Sequence, residues 1–209
     1  MTERTEYLNK LIEWKDEQVI KVVTGIRRCG KSTLLELYAD YLRSTGVADE
    51  QIIFINFEDL ENEHLLDYKV LYKHICDRLC KDKYTYIFLD EIQKVENFEK
   101  AVDSLYIKKN TDIYMTGSNA YMLSGELATL LSGRYVEISM LPFSFKEYLE
   151  YHPSEDKASA LAAYMSDGGF PYISVMEHSK SKTDMYIEGI YNTIIVKDIE
   201  DRQRKRESD

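Results

Sequence analysis

The sequence predicts an α/β protein whose parallel sheet is covered by helices on both faces, and three observations carry that prediction. Apolar runs of strand length alternate with segments of helical periodicity. A glycine-rich loop joins the first such strand to the helix that follows, and a later apolar strand ends in two adjacent carboxylates. The 209 residues, 44% of them apolar, suffice for one α/β core and a smaller appendage.

A short helix carrying Tyr7, Leu8 and Leu11 is expected over residues 3–15, and the apolar run that follows reads as a buried strand over 19–24. After the loop, Leu34, Leu35, Leu37, Tyr38, Tyr41 and Leu42 mark one face of a helix. A strand over 51–57 precedes a helical stripe of Val70, Leu71, Ile75 and Leu79. A strand over 84–90 precedes a second stripe of Phe98, Ala101, Val102, Leu105 and Tyr106, for which Asn97 is the expected N-cap. Strands over 111–116 and 134–140 complete the sheet. Pro142 closes the last strand, and Ser144 with Glu147 forms a capping box opening a helix. Only helices are expected beyond it, at 145–151, 155–166 and about 182–200, with Gly168-Gly169-Phe170-Pro171 as a break. The expected division is therefore an α/β domain over 1–141 and a helical lid over 142–209.

A net charge of −10 argues against a broad footprint on a phosphate backbone, and the basic run Arg202-Gln203-Arg204-Lys205-Arg206 is interleaved with acids as a solvated helix face would be. No segment has the length of a membrane span, and the charged N-terminus lacks the apolar run of a signal peptide, so a cytoplasmic protein without membrane partners is expected. Cys29, Cys76 and Cys80 are expected to be reduced. Cys76 and Cys80, four residues apart near His74, lack zinc-knuckle spacing and read as core residues.

The loop reads Gly25-Ile26-Arg27-Arg28-Cys29-Gly30-Lys31-Ser32, a complete G-x-x-x-x-G-K-S phosphate loop (Walker A), which points to a nucleoside triphosphate. Glycines let the backbone approach the phosphates, so successive N–H groups and the positive end of the following helix converge on them. Lys31 adds a mobile charge for the β and γ phosphates and Ser32 a hydroxyl for Mg²⁺, while Ile26, Arg27, Arg28, Cys29 and Thr33 complete the nucleotide-binding set. Cys29, among anion-attracting amides, is expected to react with alkylating reagents faster than the other cysteines.

Tyr86-Ile87-Phe88-Leu89-Asp90-Glu91 supplies the second signature (Walker B). Asp90 is expected to hold Mg²⁺ through its water shell, and Glu91 to orient and deprotonate the attacking water. Thr116, Ser118 or Asn119, at the end of the next strand, is expected to reach the γ phosphate or that water. Arg134, just before the last strand, has two readings: a surface residue, or an arginine finger for a neighbouring subunit's nucleotide.

Together with Phe54-Ile55-Asn56-Phe57-Glu58, Phe88-Leu89-Asp90-Glu91-Ile92-Gln93 and Ser132-Gly133-Arg134-Tyr135, these motifs resemble the prokaryotic AAA-superfamily ATPases (AAA+-like) that carry an Arg-Arg phosphate loop and are related to the STAND signalling NTPases. The resemblance implies a P-loop NTPase fold of the AAA/ASCE type. Its parallel five-stranded sheet has the order 5-1-4-3-2, the segment from Thr116 to Asn119 is sensor 1, and a small helical lid follows. It also implies that Pro171, in an element like the STAND Gly-x-Pro, lies near the base or ribose, and that Tyr7 lines the other side of the adenine. Members of the family usually continue with a winged helix and a restriction-endonuclease-like domain, so this chain is expected to be the N-terminal ATPase part of a longer protein. A homo-oligomer, and a protein or DNA partner reached through that further region, follow as expectations.

The function these readings support is Mg²⁺-dependent ATP hydrolysis driving a motor or switch. The alternative is a slow-turnover signalling scaffold set by bound ATP or ADP. A small-molecule kinase ranks lowest, because few cations follow residue 142 before the tail, and the lack of an Asn-Lys-x-Asp element favours ATP over GTP.

Overall fold

The computed structural model describes residues 4–118, 131, 133–176 and 179–193. The chain divides into two compact units, one of residues 3–25 and 31–140, the other of residues 1–2, 26–30 and 141–209.

The first unit is built on five parallel strands: β1 (Ile20–Gly25), β2 (Ile52–Asn56), β3 (Thr85–Asp90), β4 (Thr111–Ser118) and β5 (Tyr135–Met140). Their order across the sheet is β2-β3-β4-β1-β5, every pairing is parallel, and this is the expected order read from the other edge. Among the described residues this unit carries the α-helices α1 (Thr5–Glu13), α2 (Lys31–Ser44), α3 (Tyr68–Cys76) and α4 (Phe98–Tyr106).

Strand alternation sends two residue sets to two faces. One face, with Ile20, Val22, Ile53, Ile55, Ile87, Leu89, Ile113 and Met115, packs with Leu71 and Ile75 of α3 and Ala101, Val102 and Leu105 of α4 into the main core. Across the opposite face runs a row of Phe54, Phe88, Tyr114 and Lys21, aligned by register. Its rings stack at 5.5 Å (Phe54–Phe88) and 5.1 Å (Phe88–Tyr114), and Tyr38 of α2 caps Tyr114 at 4.9 Å.

The row ends in a buried polar cluster that an otherwise apolar strand did not announce. Lys21 Nζ lies 2.5 Å from Asp112 Oδ1 and donates to the Glu17 carbonyl at 2.6 Å, with both charged side chains inaccessible. Asp112 Oδ2 accepts from the Tyr114 hydroxyl at 2.7 Å and from the Asp16 N–H at 2.9 Å. Asp16 Oδ1 in turn accepts from the Tyr86 hydroxyl at 2.7 Å. Burial pushes the Asp112 carboxyl up and the Lys21 ammonium down, against their mutual attraction.

Helix boundaries follow local chemistry, with one correction. Asn97 precedes α4 in a left-handed conformation (φ 53°), and its side chain makes no cap; its Oδ1 accepts from Lys100 Nζ at 2.9 Å instead. Asp67, unremarked in the sequence, caps α3 by accepting from the N–H groups of Lys69 and Val70.

The second unit contains α5 (Phe145–Tyr151), α6 (Lys157–Asp167), α7 (Pro171–Val175) and α8 (Lys180–Tyr191). The capping box is formed as expected, Ser144 Oγ accepting from the Glu147 N–H and the Glu147 carboxylate from the Ser144 N–H. Phe145, Tyr148 and Tyr164 gather the unit's aromatic cluster, with Tyr164 centred 5.6 Å and 5.4 Å from the other two rings. The expected break before Pro171 is followed by a short helix not foreseen, with proline at its first turn, where no N–H is missed.

Gly169 is required by close approach. Its carbonyl accepts from the Phe143 N–H at 2.6 Å, and a Cβ added to it would overlap the Phe143 carbonyl oxygen, a backbone atom with no freedom to withdraw. Gly189, within α8, faces open space. Gly169→Ala is therefore expected to destabilise the protein by about 1–3 kcal/mol as an overpacked site does. Gly189→Ala should stabilise it by about 0.5–1 kcal/mol. Thermal melting of the two variants checks this; equal melting temperatures would show that the Phe143–Gly169 approach is not constrained.

Candidate functional site

A parallel sheet brings the carboxyl ends of its strands to one edge, and within the sheet unit Lys31, Ser32, Asp90, Glu91 and Thr116 come from that edge. Because β4 lies between β1 and β3, Thr116 is set in register with Val23 on one side and lies beside Asp90 on the other.

Lys31 opens α2 and is buried. Its Nζ donates to the Gly25 carbonyl at 3.2 Å and faces Glu91 Oε1 at 3.8 Å. Ser32 and Thr33 are half-buried on the same first turn, and the Ser32 hydroxyl is near enough to the Asp90 carboxyl to lower its pKa.

Asp90 is 1% exposed. Its Oδ1 accepts from the Thr116 hydroxyl at 2.5 Å, whereas its Oδ2 is buried with no hydrogen-bond partner. Burial pushes the Asp90 carboxyl up, and the charge of Glu91 adds to this; the Thr116 and Ser32 hydroxyls and Lys31 pull it down.

Glu91 sits beyond the end of β3 in the left-handed region (φ 58°), which L side chains other than Asn and Asp rarely enter. Its N–H donates to Thr116 Oγ1 at 2.9 Å, and its Oε2 accepts from Gln93 Nε2 at 2.5 Å. Thr116 is thus buried and bridges the two acidic residues, donating to one and accepting from the backbone of the other. Asn119 and the side chain of Ser118 lie outside the described residues, as does the basic run at 202–206.

The loop segment 26–30 groups with the helical unit. Gly30 (φ 98°) and Arg28 (φ 66°) both take left-handed backbone conformations; glycine enters that region freely, and arginine does so at about 1–2 kcal/mol. The Arg28 guanidinium lies 5.4 Å from the ring centre of Tyr186, whose hydroxyl is 3.4 Å from Nη1, and Tyr186 is packed on Tyr172. Ile26 and Arg27 are half-buried, and the Cys29 N–H donates to the Ile26 carbonyl at 3.4 Å. Cys29 is completely buried while Cys76 and Cys80 are partly accessible, which removes the steric basis for its expected preferential alkylation.

Three further residues were singled out by the sequence, and each has its own local setting. Tyr7, on α1, has the Arg4 guanidinium 4.7 Å and the Lys10 ammonium 5.2 Å from its ring centre. Pro171 is the first residue of α7 in the helical unit. Arg134 precedes β5 at the amino end of the sheet, its carbonyl accepting from the Ile20 N–H. Six residues of β5 separate it from the edge that carries Lys31, about 20 Å of strand. Its guanidinium rests 3.6 Å from Asp103 and 5.4 Å from the Tyr106 ring centre.

Sequence reasoning singled out neither Gln93 nor the Lys21–Asp112 cluster. Gln93 was visible only as the last letter of a motif string; its proximity to Glu91 follows from the 3₁₀ turn Ile92–Lys94, which folds the chain back after β3.

A five-stranded parallel sheet in this order, with a phosphate-loop lysine and serine beside a strand-terminal acid pair, defines an AAA-type P-loop protein. The chain belongs to the AAA domain family, whose description matches residues 17–149. It is 43% identical over 208 residues to an uncharacterized protein of Haemophilus influenzae, covering 97% of this chain and 51% of that one. It is 30% identical over 214 residues to the uncharacterized protein MJ1544 of Methanocaldococcus jannaschii, covering 94% of this chain and 46% of that one. The chain thus spans about half the length of the curated relatives it matches. Its fold is similar to that of AMPPCP-bound DnaA from Aquifex aeolicus, with a TM-score of 0.51, 12% identity, and coverage of 90% of this chain and 62% of that one. Family and fold imply nucleotide binding. Among the described residues no helix is long and apolar enough to cross a membrane.

Proposed function

We propose that this chain binds and hydrolyses ATP with Mg²⁺, and that the cycle of occupancy drives a motor or switch. The observation that carries the reading is the convergence of Lys31, Ser32, Asp90 and Glu91 from two separate strand ends, with one Asp90 oxygen buried and unpartnered. A buried carboxylate oxygen left without a donor is costly unless something fills its coordination. A hydroxyl and a carboxylate are hard oxygen donors, so Ser32 and Asp90 fit Mg²⁺, with most of its shell left to water and phosphate. When bound, the ion supplies neutralisation of charge on the β and γ phosphate oxygens.

The remaining steps belong to the chain's own groups. Backbone N–H groups of Gly25 through Ser32 cradle the phosphates, and Lys31 exchanges its contacts with Gly25 and Glu91 for phosphate oxygens. Glu91 orients a water in line with the γ phosphate and takes its proton. Arg134, about 20 Å of strand from its own chain's Lys31, serves in this reading only the nucleotide of a neighbouring subunit in a homo-oligomer. Asn119 completes the set as a water- or phosphate-facing residue, and Tyr7 and Pro171 serve the base. We assign residues 1–141 to the ATPase domain and 142–209 to a lid, with cytoplasmic action on a protein or DNA partner engaged by the further length present in the relatives. A second reading, a slow signalling switch, is favoured by the Arg28–Tyr186 contact, which ties the phosphate-loop segment to α8.

Calorimetry with Mg-ATP tests the core of the proposal. The purified chain is expected to bind, and Lys31→Ala to lose about 100-fold or more in affinity, since a charge-assisted contact to two phosphates is removed from a partly dry site. Equal affinity in the variant would overturn the assignment of the loop.

A further inference from the structure

Each carboxylate oxygen of Glu91 faces a different partner. Its Oε2 accepts from Gln93 Nε2 at 2.5 Å, and its Oε1 faces Lys31 Nζ at 3.8 Å. The two partners differ in mobility. Lys31 is a long chain whose ammonium has a phosphate to go to, whereas Gln93 sits on the short turn Ile92–Lys94 that begins at Glu91 itself and is anchored by the completely buried Ile92. The Glu91 backbone is fixed independently, by its N–H on the Thr116 hydroxyl.

The amide of Gln93 is also incompletely satisfied: its Oε1 is buried with no hydrogen-bond partner. A surface glutamine rotates to hydrate both ends of its amide. Here the donor end is on the Glu91 carboxylate. Burial and a charged acceptor both strengthen such a bond relative to one in water.

We propose that Gln93 is the positioning residue of Glu91: it clamps Oε2, so that when Lys31 moves to the phosphates Oε1 alone is released, already aimed, to receive the proton of the attacking water. This rests on the reading of Glu91 as general base. It assigns Gln93 a part in the rate and none in nucleotide affinity, since its described side-chain contact is with Glu91. No atom is transferred to Gln93; the proton passes from water to Glu91 Oε1, the hydroxide oxygen bonds to the γ phosphorus, and the bond to the ADP leaving oxygen breaks.

The test is a double-mutant cycle on the purified full chain, comparing wild type, Gln93→Ala, Glu91→Gln and the double variant for single-turnover ATP hydrolysis and for Mg-ATP affinity. Gln93→Ala is expected to slow hydrolysis about 10- to 100-fold, the effect of misplacing a reacting group by about an ångström. Affinity should stay within twofold of wild type. In the Glu91→Gln background the second substitution should add nothing, because the group it positions is already disabled. Gln93→Met, which keeps the length and loses the donor, should behave like the alanine variant and serves if that one fails to fold. Wild-type hydrolysis by Gln93→Met, or faster hydrolysis, would overturn the proposal, the latter by showing that the bond withholds the carboxylate. Additive losses would overturn it too, by making the role structural. If Glu91→Gln itself hydrolyses ATP at the wild-type rate, the general-base reading fails and the positioning role with it, an outcome distinct from an inert Gln93 beside an essential Glu91.

Discussion

Glu91→Gln is expected to bind Mg-ATP as the unchanged protein does and to hydrolyse it about 10²- to 10⁴-fold more slowly, the contribution of a positioned general base. The amide keeps the volume of the carboxylate at the end of β3, and the left-handed backbone that presents it is held by Thr116, which the substitution does not touch. What is lost is the ability to accept a proton.

Asp90→Asn separates the neighbouring role. It is expected to lose the Mg²⁺-dependent increment of nucleotide affinity and, in the metal-free protein, to gain stability. Burial raises the Asp90 pKa in the folded chain, so the native state resists its ionisation. For a group raised on folding, the associated stability is intact below the ordinary carboxylate range and is lost as pH rises through the raised native value. Asparagine never ionises and escapes that loss. The metal-free variant should therefore melt above wild type at neutral pH, and the gap should narrow as pH falls below about 4. Melting curves at several pH values with chelator present check this, and quenched-flow or phosphate-release assays check Glu91→Gln. A Glu91→Gln chain with wild-type turnover would reduce the acid pair to an ordinary strand end.

Asp112→Ala is expected to remove about 3–5 kcal/mol of stability, the loss that follows when one partner of a buried ion pair is taken away. Lys21 is left inaccessible with its counterion gone, and the Tyr114 hydroxyl and Asp16 N–H each lose an acceptor. Against a total of about 5–15 kcal/mol for an ordinary domain, that loss threatens folding itself. Lys21→Met combined with Asp112→Leu should recover most of it, because apolar side chains replace a pair that burial already disfavours at both ends. Urea unfolding followed through Trp14, the single tryptophan and close in sequence to Asp16, measures the cycle. A midpoint for Asp112→Ala within error of wild type would show that the cluster carries no stability.

The strands of the sheet and the elements that flank the loop were legible in the sequence because each is written in local chemistry, whereas the order of the strands came only from the resemblance to a known family. Hydrophobic period distinguishes strands from helices, a glycine pattern marks where backbone meets phosphate, and an S-x-x-E string closes its own capping box at Ser144 and Glu147. Lys31, Ser32, Asp90 and Glu91 could be singled out from sequence alone because their motifs sit at strand ends, and parallel strands share one edge.

What only the tertiary structure decided are relations across strands. Lys21 and Asp112 are separated by most of the sheet domain in sequence, and only the adjacency of β1 and β4 turns two isolated charges into a buried pair. Thr116 bridges two acidic residues because β4 lies beside β3 and inside the sheet, a relation its strand-end position in the sequence did not show. Asn97 looked like a helix cap and is not one, since its left-handed backbone turns the side chain to Lys100. Composition and period encode which face a residue takes, whereas partners across strands depend on register, which is settled only when the whole sheet buries its two faces at once.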